Sequence, residues 1–120
     1  MIRVCIESPL KGDYEGNITY ARVALRHAMS EGVSAFASHL LYTQVLDDQD
    51  PVQREVGIRA GLAFGDSCDE RWFYLDRGWS DGMARAKKRA EELGQVTKEI
   101  RIGHSANASM ITPTVGFEGS

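Results

Sequence analysis

The sequence has little cysteine, little proline and no long apolar run. Its two cysteines, Cys5 and Cys68, are too few for the disulfide framework of a small secreted domain. We therefore expect a reducing compartment, with both thiols acting as small buried hydrophobic groups. No apolar stretch approaches the roughly 20 residues that a membrane-spanning helix needs, which predicts no membrane partner.

An excess of positive charge is also absent. The chain has 14 basic and 17 acidic residues, for a formal net charge of −3. A protein that binds nucleic acid through phosphates concentrates Lys and Arg on one face, so no nucleic-acid partner is expected. The one basic cluster, residues 85–89, is followed by Glu91 and Glu92 and is interpreted as a solvated helix face. The opening residues resemble a strand rather than a targeting segment, and the expected location is the cytoplasm.

Several catalytic and cofactor motifs are missing. There is no Walker-type loop, no Gly-x-Gly-x-x-Gly after the first strand and no nucleophile elbow, which disfavours nucleoside triphosphatases, dinucleotide dehydrogenases and α/β-hydrolases. The three histidines have no metal-ligand spacing to one another or to the cysteines, so neither a metal nor another cofactor is expected. The acidic residues Asp47, Asp48 and Asp50 form either a solvated loop or a site for a hard cation.

The apolar pattern alternates between short strands and longer helices. Such alternation predicts a parallel sheet built from right-handed crossovers. We expect an α/β fold, a small Rossmann-like or flavodoxin-like sandwich of four to five mostly parallel strands with helices on both faces. Residues 1–102 form this domain, and residues 103–120 form a polar tail. The predicted strands are Ile2–Glu7, Val33–Phe36, Arg71–Leu75 and Val96–Ile102, and the predicted helices run from about Asn17 to Gly32, from Pro51 to about Phe64 and from Ser80 to Leu93.

The third strand and third helix are joined by a short polar turn that predicts a ligand site. The strand stops before Asp76, and the helix starts at Ser80, followed by Gly82 and Met83. The free N–H groups of a helix start attract anions and polar ligands. Ligands of open α/β sheets bind beyond the carboxyl ends of the strands, where this turn lies.

Other loops are expected to meet this turn at the same edge of the sheet. Ser8 and Pro9 form either a plain turn or a phosphate or ribose contact, and Asn17 either caps its helix or contacts ligand. His39 either bonds a backbone carbonyl or contacts the phosphate or base of a ligand. The remaining candidates for ligand binding are Glu7, Leu10, Gly12 and Asp76.

These segments, in this order, resemble the nucleoside 2-deoxyribosyltransferase-like family, especially its small branch from phages and bacteria. The resemblance covers about residues 2–90. It rests on the motifs Ile6-Glu7-Ser8-Pro9-Leu10 with Gly12-Asp13, Asn17-Ile18 with Ala21-Arg22, Ser38-His39-Leu40-Leu41-Tyr42, and Cys68-Asp69-Glu70-Arg71-Trp72 followed by Ser80-Asp81-Gly82-Met83.

The resemblance implies a pocket for a nucleoside or nucleotide and a homodimer or larger assembly. Enzymes of the family use a glutamate to attack C1′ of the sugar, but Gly82 and Ala86 stand at the two matching positions here. We therefore expect binding without efficient turnover, and for a phage protein the sequestering of a host nucleotide immune signal such as a cyclic ADP-ribose species. The alternative is an N-glycoside hydrolase or transferase with a relocated nucleophile, Glu7 or Asp76.

Overall fold

The computed structural model describes residues 1–103, whose regular elements alternate as the sequence predicts. The strands are β1 (Arg3–Glu7), β2 (Ser34–Ala37), β3 (Glu70–Tyr74) and β4 (Val96–Ile100), and the helices are α1 (Tyr14–Ser30), α2 (Ser38–Leu41), α3 (Pro51–Asp66) and α4 (Asp81–Leu93). Between α2 and α3 the chain makes a single 3₁₀ turn, Tyr42–Gln44.

The four strands form one sheet in the order β2-β1-β3-β4, and every neighbouring pair is parallel. From β1 the chain first moves outward to β2 and then crosses to β3 on the other side of β1. The carboxyl ends of β1 and β3 therefore flank a topological switch point, where open α/β sheets bind ligands. The prediction of a small, parallel, Rossmann-like α/β fold is confirmed.

Side chains alternate between the two faces of the sheet, and helices cover both faces. On one face Val4, Ile6, Trp72 and Tyr74 pack against α1. On the other face Phe73 and Leu75 pack against Met83 and Ala86 of α4 and Leu62 of α3. Cys5, Glu7 and Arg71 belong by alternation to this second face, so β1 and β3 place polar groups beneath α3.

Helix ends follow the local signals in the sequence. The Ser80 hydroxyl accepts a hydrogen bond from the backbone N–H of Met83 and caps α4, while Gly94 ends that helix with a positive φ of 65°. Pro51 occupies the first turn of α3, and the Asp50 side chain accepts from the Val52 N–H. These caps place the start of α4 at the carboxyl edge of the sheet.

Two predicted segments differ from the structure. Helix α1 begins at Tyr14, three residues before Asn17, because the Asp13 carboxylate accepts from the Gly16 N–H and caps the helix there. The connection predicted from His39 to Asp50 contains α2 and the 3₁₀ turn, whose four- and three-residue lengths are too short for a periodic pattern to reveal. The other boundaries differ by one or two residues.

No helix in residues 1–103 is long and apolar enough to cross a membrane. The predicted polar tail, residues 103–120, lies outside the described residues except for Gly103.

Candidate functional site

A cleft of about 740 Å³, counting the space at its open mouth, lies where the carboxyl ends of β1 and β2 and the start of α4 meet. The rest of its wall comes from the loop after β1, α2 and α3. Seven predicted ligand residues line it: Glu7, Ser8, Leu10, His39, Ser80, Gly82 and Met83.

Three glycines at intervals of four residues give α3 a flat face toward the sheet and α2. Gly57 lines the cleft, and a Cβ there would lie 3.4 Å from Leu46 Cδ1. A Cβ at Gly61 would come within 3.1 Å of the Ser38 hydroxyl, so this glycine lets α2 approach α3. A Cβ at Gly65 would lie 2.4 Å from Arg71 Nη2, a distance that real Cβ contacts do not show. The glycines thus make room for both the cleft and a buried arginine.

Glu7 ends β1, with a side chain that is only 14% exposed and that lines the cleft. Burial raises the pKa of this carboxyl to about 7, against the opposing effects of the Arg71 charge and a hydrogen bond from the Cys5 thiol. The thiol donates to Glu7 Oε2 at 3.4 Å. Glu7 therefore changes charge near neutral pH, a property suited to contacting sugar hydroxyls or to moving a proton.

Arg71 lies beneath Glu7 and is fully buried. Its Nη1 donates to Gln95 Oε1 at 2.9 Å, and its Nη2 donates to the Leu62 carbonyl at 2.7 Å and to Asp66 Oδ1 at 3.2 Å. These bonds join β3 to the end of α3 and to the residue after Gly94. Arg71 is not among the residues that the sequence predicted for the site, although a charged residue in an apolar strand was a usable signal.

His39 Nε2 donates to the Ser8 carbonyl at 2.7 Å, so the ring joins the start of α2 to the end of β1. Burial lowers the pKa of His39 below its ordinary value, although the Ser8 carbonyl acts in the opposite direction. A neutral ring follows at pH 7. Both alternatives for this residue are compatible with the structure, because a ring that bonds a carbonyl also lines the cleft.

The start of α4 forms the remaining wall. Ser80 uses its hydroxyl as the helix cap, and Met83 is buried with its side chain in the core below. A Cβ built on Gly82 would have only the Ser80 hydroxyl near it, at 4.0 Å. The cleft-facing side of Gly82 is therefore open, and backbone there is accessible to a ligand.

Four predicted ligand residues lie outside the cleft wall: Pro9, Gly12, Asn17 and Asp76. The Asn17 amide donates to the carbonyls of Leu10 and Lys11 and accepts from Arg77 Nε, so it braces the loop before α1. Gly12 has a φ of 102° at a turn in this loop. Asn17 therefore supports the loop, and neither it nor Gly12 lines the cleft.

Asp76 fastens the chain that follows β4. Its carboxylate accepts from the Tyr20 hydroxyl at 2.5 Å and from the backbone N–H groups of Ile102 and Gly103 at 2.9 and 2.8 Å. Burial raises the pKa of Asp76, but these hydrogen bonds outweigh burial and bring the pKa below its usual range. A carboxylate with these three donors is not free to attack a substrate.

Asp76→Asn is expected to lower the free energy of unfolding by about 1–3 kcal/mol at pH 7, since an amide NH₂ would face an N–H donor. Because the folded pKa lies below the ordinary value, this stabilisation is present above about pH 4 and is lost as pH falls through the folded pKa. Urea unfolding of the wild type and Asp76→Asn at pH 7 and near pH 3 measures the difference in their free energies of unfolding. A difference that does not shrink in acid contradicts the assignment.

The thiols of Cys5 and Cys68 are free and buried. A hydrogen bond with Cys68 is the largest cause that raises the pKa of Cys5, and burial is the second, so this thiol stays protonated. Among residues 1–103, no group of three or more His, Cys, Asp or Glu side chains could hold a metal ion. In the acidic loop, Asp50 caps α3 and Asp48 lies 3.7 Å from Arg54.

Residues 2–100 match the model of a family described as Domain of unknown function (DUF7768). The chain belongs to this family. The match spans all four strands and the helices between them, so the cleft of this DUF7768 member is built from the domain itself and not from an added segment. No curated protein matches the chain.

Proposed function

We propose that this DUF7768 protein binds a nucleoside or nucleotide derivative in the cleft without efficient turnover. One observation carries the proposal: loops after β1 and β2 and the start of α4 meet in a single cleft at the switch point of a parallel sheet. The resemblance to the nucleoside 2-deoxyribosyltransferase-like family supplies the ligand class.

The cleft wall offers two kinds of surface. Apolar side chains suited to a base come from the loop after β1, the connection between α2 and α3, and α3 itself, namely Leu10, Leu46, Ile58 and Leu62. Polar groups suited to sugar hydroxyls lie at the ends of β1 and β2 and at the start of α4, namely Glu7, Ser8, Ser38, His39 and Ser80. A mostly apolar pocket with a few placed polar groups is typical of small-molecule sites.

The charges of the wall favour a ligand with few phosphates. Lys11 and Arg54 contribute two positive charges to the wall, and Asp48 and Glu7 contribute acidic groups. Arg54 already pairs with Asp48 at 3.7 Å. Lys11 is therefore the cation with the most freedom to meet a phosphate. A nucleoside or its monophosphate fits this balance better than a triphosphate.

The second candidate function is an N-glycoside hydrolase or transferase. Glu7 favours it, because a cleft carboxyl with a pKa of about 7 can act as acid, base or nucleophile. Against it stand Gly82 and Ala86, which occupy the positions where the resembling enzymes carry glutamate. Binding without turnover is the better supported function.

The wider setting follows from the resemblance. We place the protein in the cytoplasm, as a homodimer or larger assembly. If it is encoded by a phage, its ligand is a host nucleotide immune signal such as a cyclic ADP-ribose species, which it sequesters.

A compound panel tests the proposal. Deoxynucleosides, their monophosphates and cyclic ADP-ribose-type compounds are titrated by calorimetry and, after incubation, analysed by chromatography for released base. We expect binding of at least one class with negligible release. Release faster than about one turnover per second, a low value for an enzyme, refutes binding without turnover. If Glu7→Gln then loses that release, Glu7 is identified as the nucleophile. If no compound binds at a concentration of about 1 mM, where only very weak complexes escape detection, the proposed ligand class is refuted.

Gly82→Val is expected to weaken binding of the panel compounds by at least about tenfold while the fold is retained, because the side chain blocks close approach to the backbone. The new side chain enters open space on the cleft side and meets no protein atom closer than the Ser80 hydroxyl. Calorimetry measures the affinity, and circular dichroism checks the fold. The control is Ala84→Val on the exposed side of the same helix, outside the cleft wall. Equal affinities of the two variants would show that ligand does not approach Gly82.

A further inference from the structure

Within the described residues, the Nε–H of Arg71 is the one buried side-chain polar group that has no hydrogen-bond partner. The other guanidinium nitrogens are engaged by Gln95, the Leu62 carbonyl and Asp66, which determine its orientation. Nε lies 3.6 Å from Glu7 Oε2, beyond hydrogen-bond geometry but close enough for a strong charge interaction. A fully buried arginine thus has an unpartnered donor 3.6 Å from the carboxyl of Glu7, which lines the cleft.

We propose that Arg71 is a positioning residue, which acts through Glu7 by favouring the ionised form of that carboxyl and fixing its place at the cleft for a ligand with hydroxyl donors. This inference deepens the proposed function and rests on it for the ligand, but its first test needs no ligand. If the Glu7 carboxylate moves slightly toward Arg71 when a ligand fills the cleft, the Nε hydrogen bond is completed and both groups gain a partner.

The pairing of β1 with β3 explains why Arg71 has this role. Cys5 lies opposite Arg71 in the register and Glu7 lies two positions further along β1 on the same face, where its carboxylate turns back to accept from the Cys5 thiol and comes within 3.6 Å of Arg71 Nε. Gly65 leaves the space that the guanidinium occupies on the α3 side. Replacing either the glycine or the arginine would disturb this arrangement.

Other charged groups around Glu7 do not replace Arg71. Cys5 on the same strand donates its thiol to Glu7, and the Cys68 thiol, which is also free, donates to the Phe64 carbonyl. Asp66 also pairs with the guanidinium, at Nη2, and reduces its net effect on Glu7. The remaining titratable groups lie on the cleft wall, and they are Lys11, His39, Tyr42, Asp48 and Arg54.

Carbon-13 carboxyl NMR of glutamate-labelled protein measures the titration midpoint of Glu7, which Glu7→Gln assigns. We expect a wild-type midpoint at the pKa of about 7. In Arg71→Met the midpoint rises by at least about one unit, so the ionised fraction at pH 7 falls about fivefold. An unmoved midpoint in the folded variant overturns the proposal.

Two further variants separate positioning from mere structural support. Gln95→Ala removes a partner of Arg71 and weakens the same contacts, but it leaves the charge in place, so the midpoint stays near wild type. Asp66→Asn removes the competing anion and lowers the midpoint by about half a unit. Glu55→Gln, which breaks a distant exposed pair with Arg85, is the control without a shift. If Arg71→Met does not fold, the Asp66→Asn result decides, and no downward shift overturns the proposal.

The binding arm uses the panel compounds that bind the wild type. Their affinity is expected to fall about fivefold in Arg71→Met at pH 7 and to recover as pH rises above the new midpoint. An affinity that is lost equally at every pH contradicts action through Glu7. If no compound binds, the proposed ligand class is refuted, and the NMR titration of Glu7 still tests the role of Arg71.

Discussion

Replacing Glu7 by glutamine is expected to raise the free energy of unfolding by about 3 kcal/mol at pH 8, but by less than about 1 kcal/mol at pH 5. The folded pKa of about 7 lies above the ordinary value of 4.5, so the folded protein holds this proton more tightly than the unfolded chain. The stability that results is present below about pH 4.5 and is lost as pH rises through the folded pKa of about 7. Glutamine keeps the shape and never ionises.

Urea unfolding of wild type and Glu7→Gln at pH 5 and pH 8 measures this difference. The matched control is Glu55→Gln, because Arg85 lowers the pKa of that exposed carboxyl and its removal gives no gain at high pH. A Glu7→Gln protein that is less stable than wild type at both pH values would show that interactions in the folded protein offset the cost of burying the Glu7 carboxylate. A gain at pH 8 instead marks Glu7 as a residue kept at a cost in stability, as functional sites often are.

Gly65→Ala is expected to lower the free energy of unfolding by about 2–3 kcal/mol, although alanine favours a helix by about 1 kcal/mol over glycine. The new Cβ would lie 2.4 Å from Arg71 Nη2 and 2.8 Å from Nε. A flexible surface arginine would move aside, but this one is fully buried and held by Gln95, Leu62 and Asp66. The clash must therefore displace the guanidinium or the helix.

Gly57→Ala, two turns earlier on the same face of α3, is the control. Its Cβ would meet Leu46 Cδ1 at 3.4 Å, an ordinary contact, so we expect stabilisation of about 0.5–1 kcal/mol. Thermal and urea unfolding compare the two variants. If both stabilise the protein alike, the guanidinium of Arg71 can move aside without losing its partners. In Gly65→Ala the Glu7 midpoint should also move, because the guanidinium moves.

The local sequence was sufficient for the elements and for the edge of the sheet where the cleft lies. Ser80, Pro51 and Gly94 mark helix ends through their own backbone and side-chain chemistry, which acts within a few residues. Parallel strands bring their carboxyl ends to one edge, so the order of strands and helices was enough to place Ser8 and His39, which follow two strands, beside one cleft. Helix α2 was not predicted, because a helix of one turn is too short to show a periodic pattern of apolar residues.

Tertiary structure alone decided which of these residues face the cleft and what lies beneath them. Asn17 and Asp76 were candidates from their positions, but their hydrogen-bond partners come from distant parts of the chain. Asn17 accepts from Arg77, and Asp76 accepts from Tyr20, Ile102 and Gly103. The sequence by itself determined that β1 ends in a carboxylate and that β3 carries a cation near its start. Only the register of the two strands placed Arg71 under Glu7, because strand pairing across a long crossover depends on packing of the whole sheet and not on neighbouring residues.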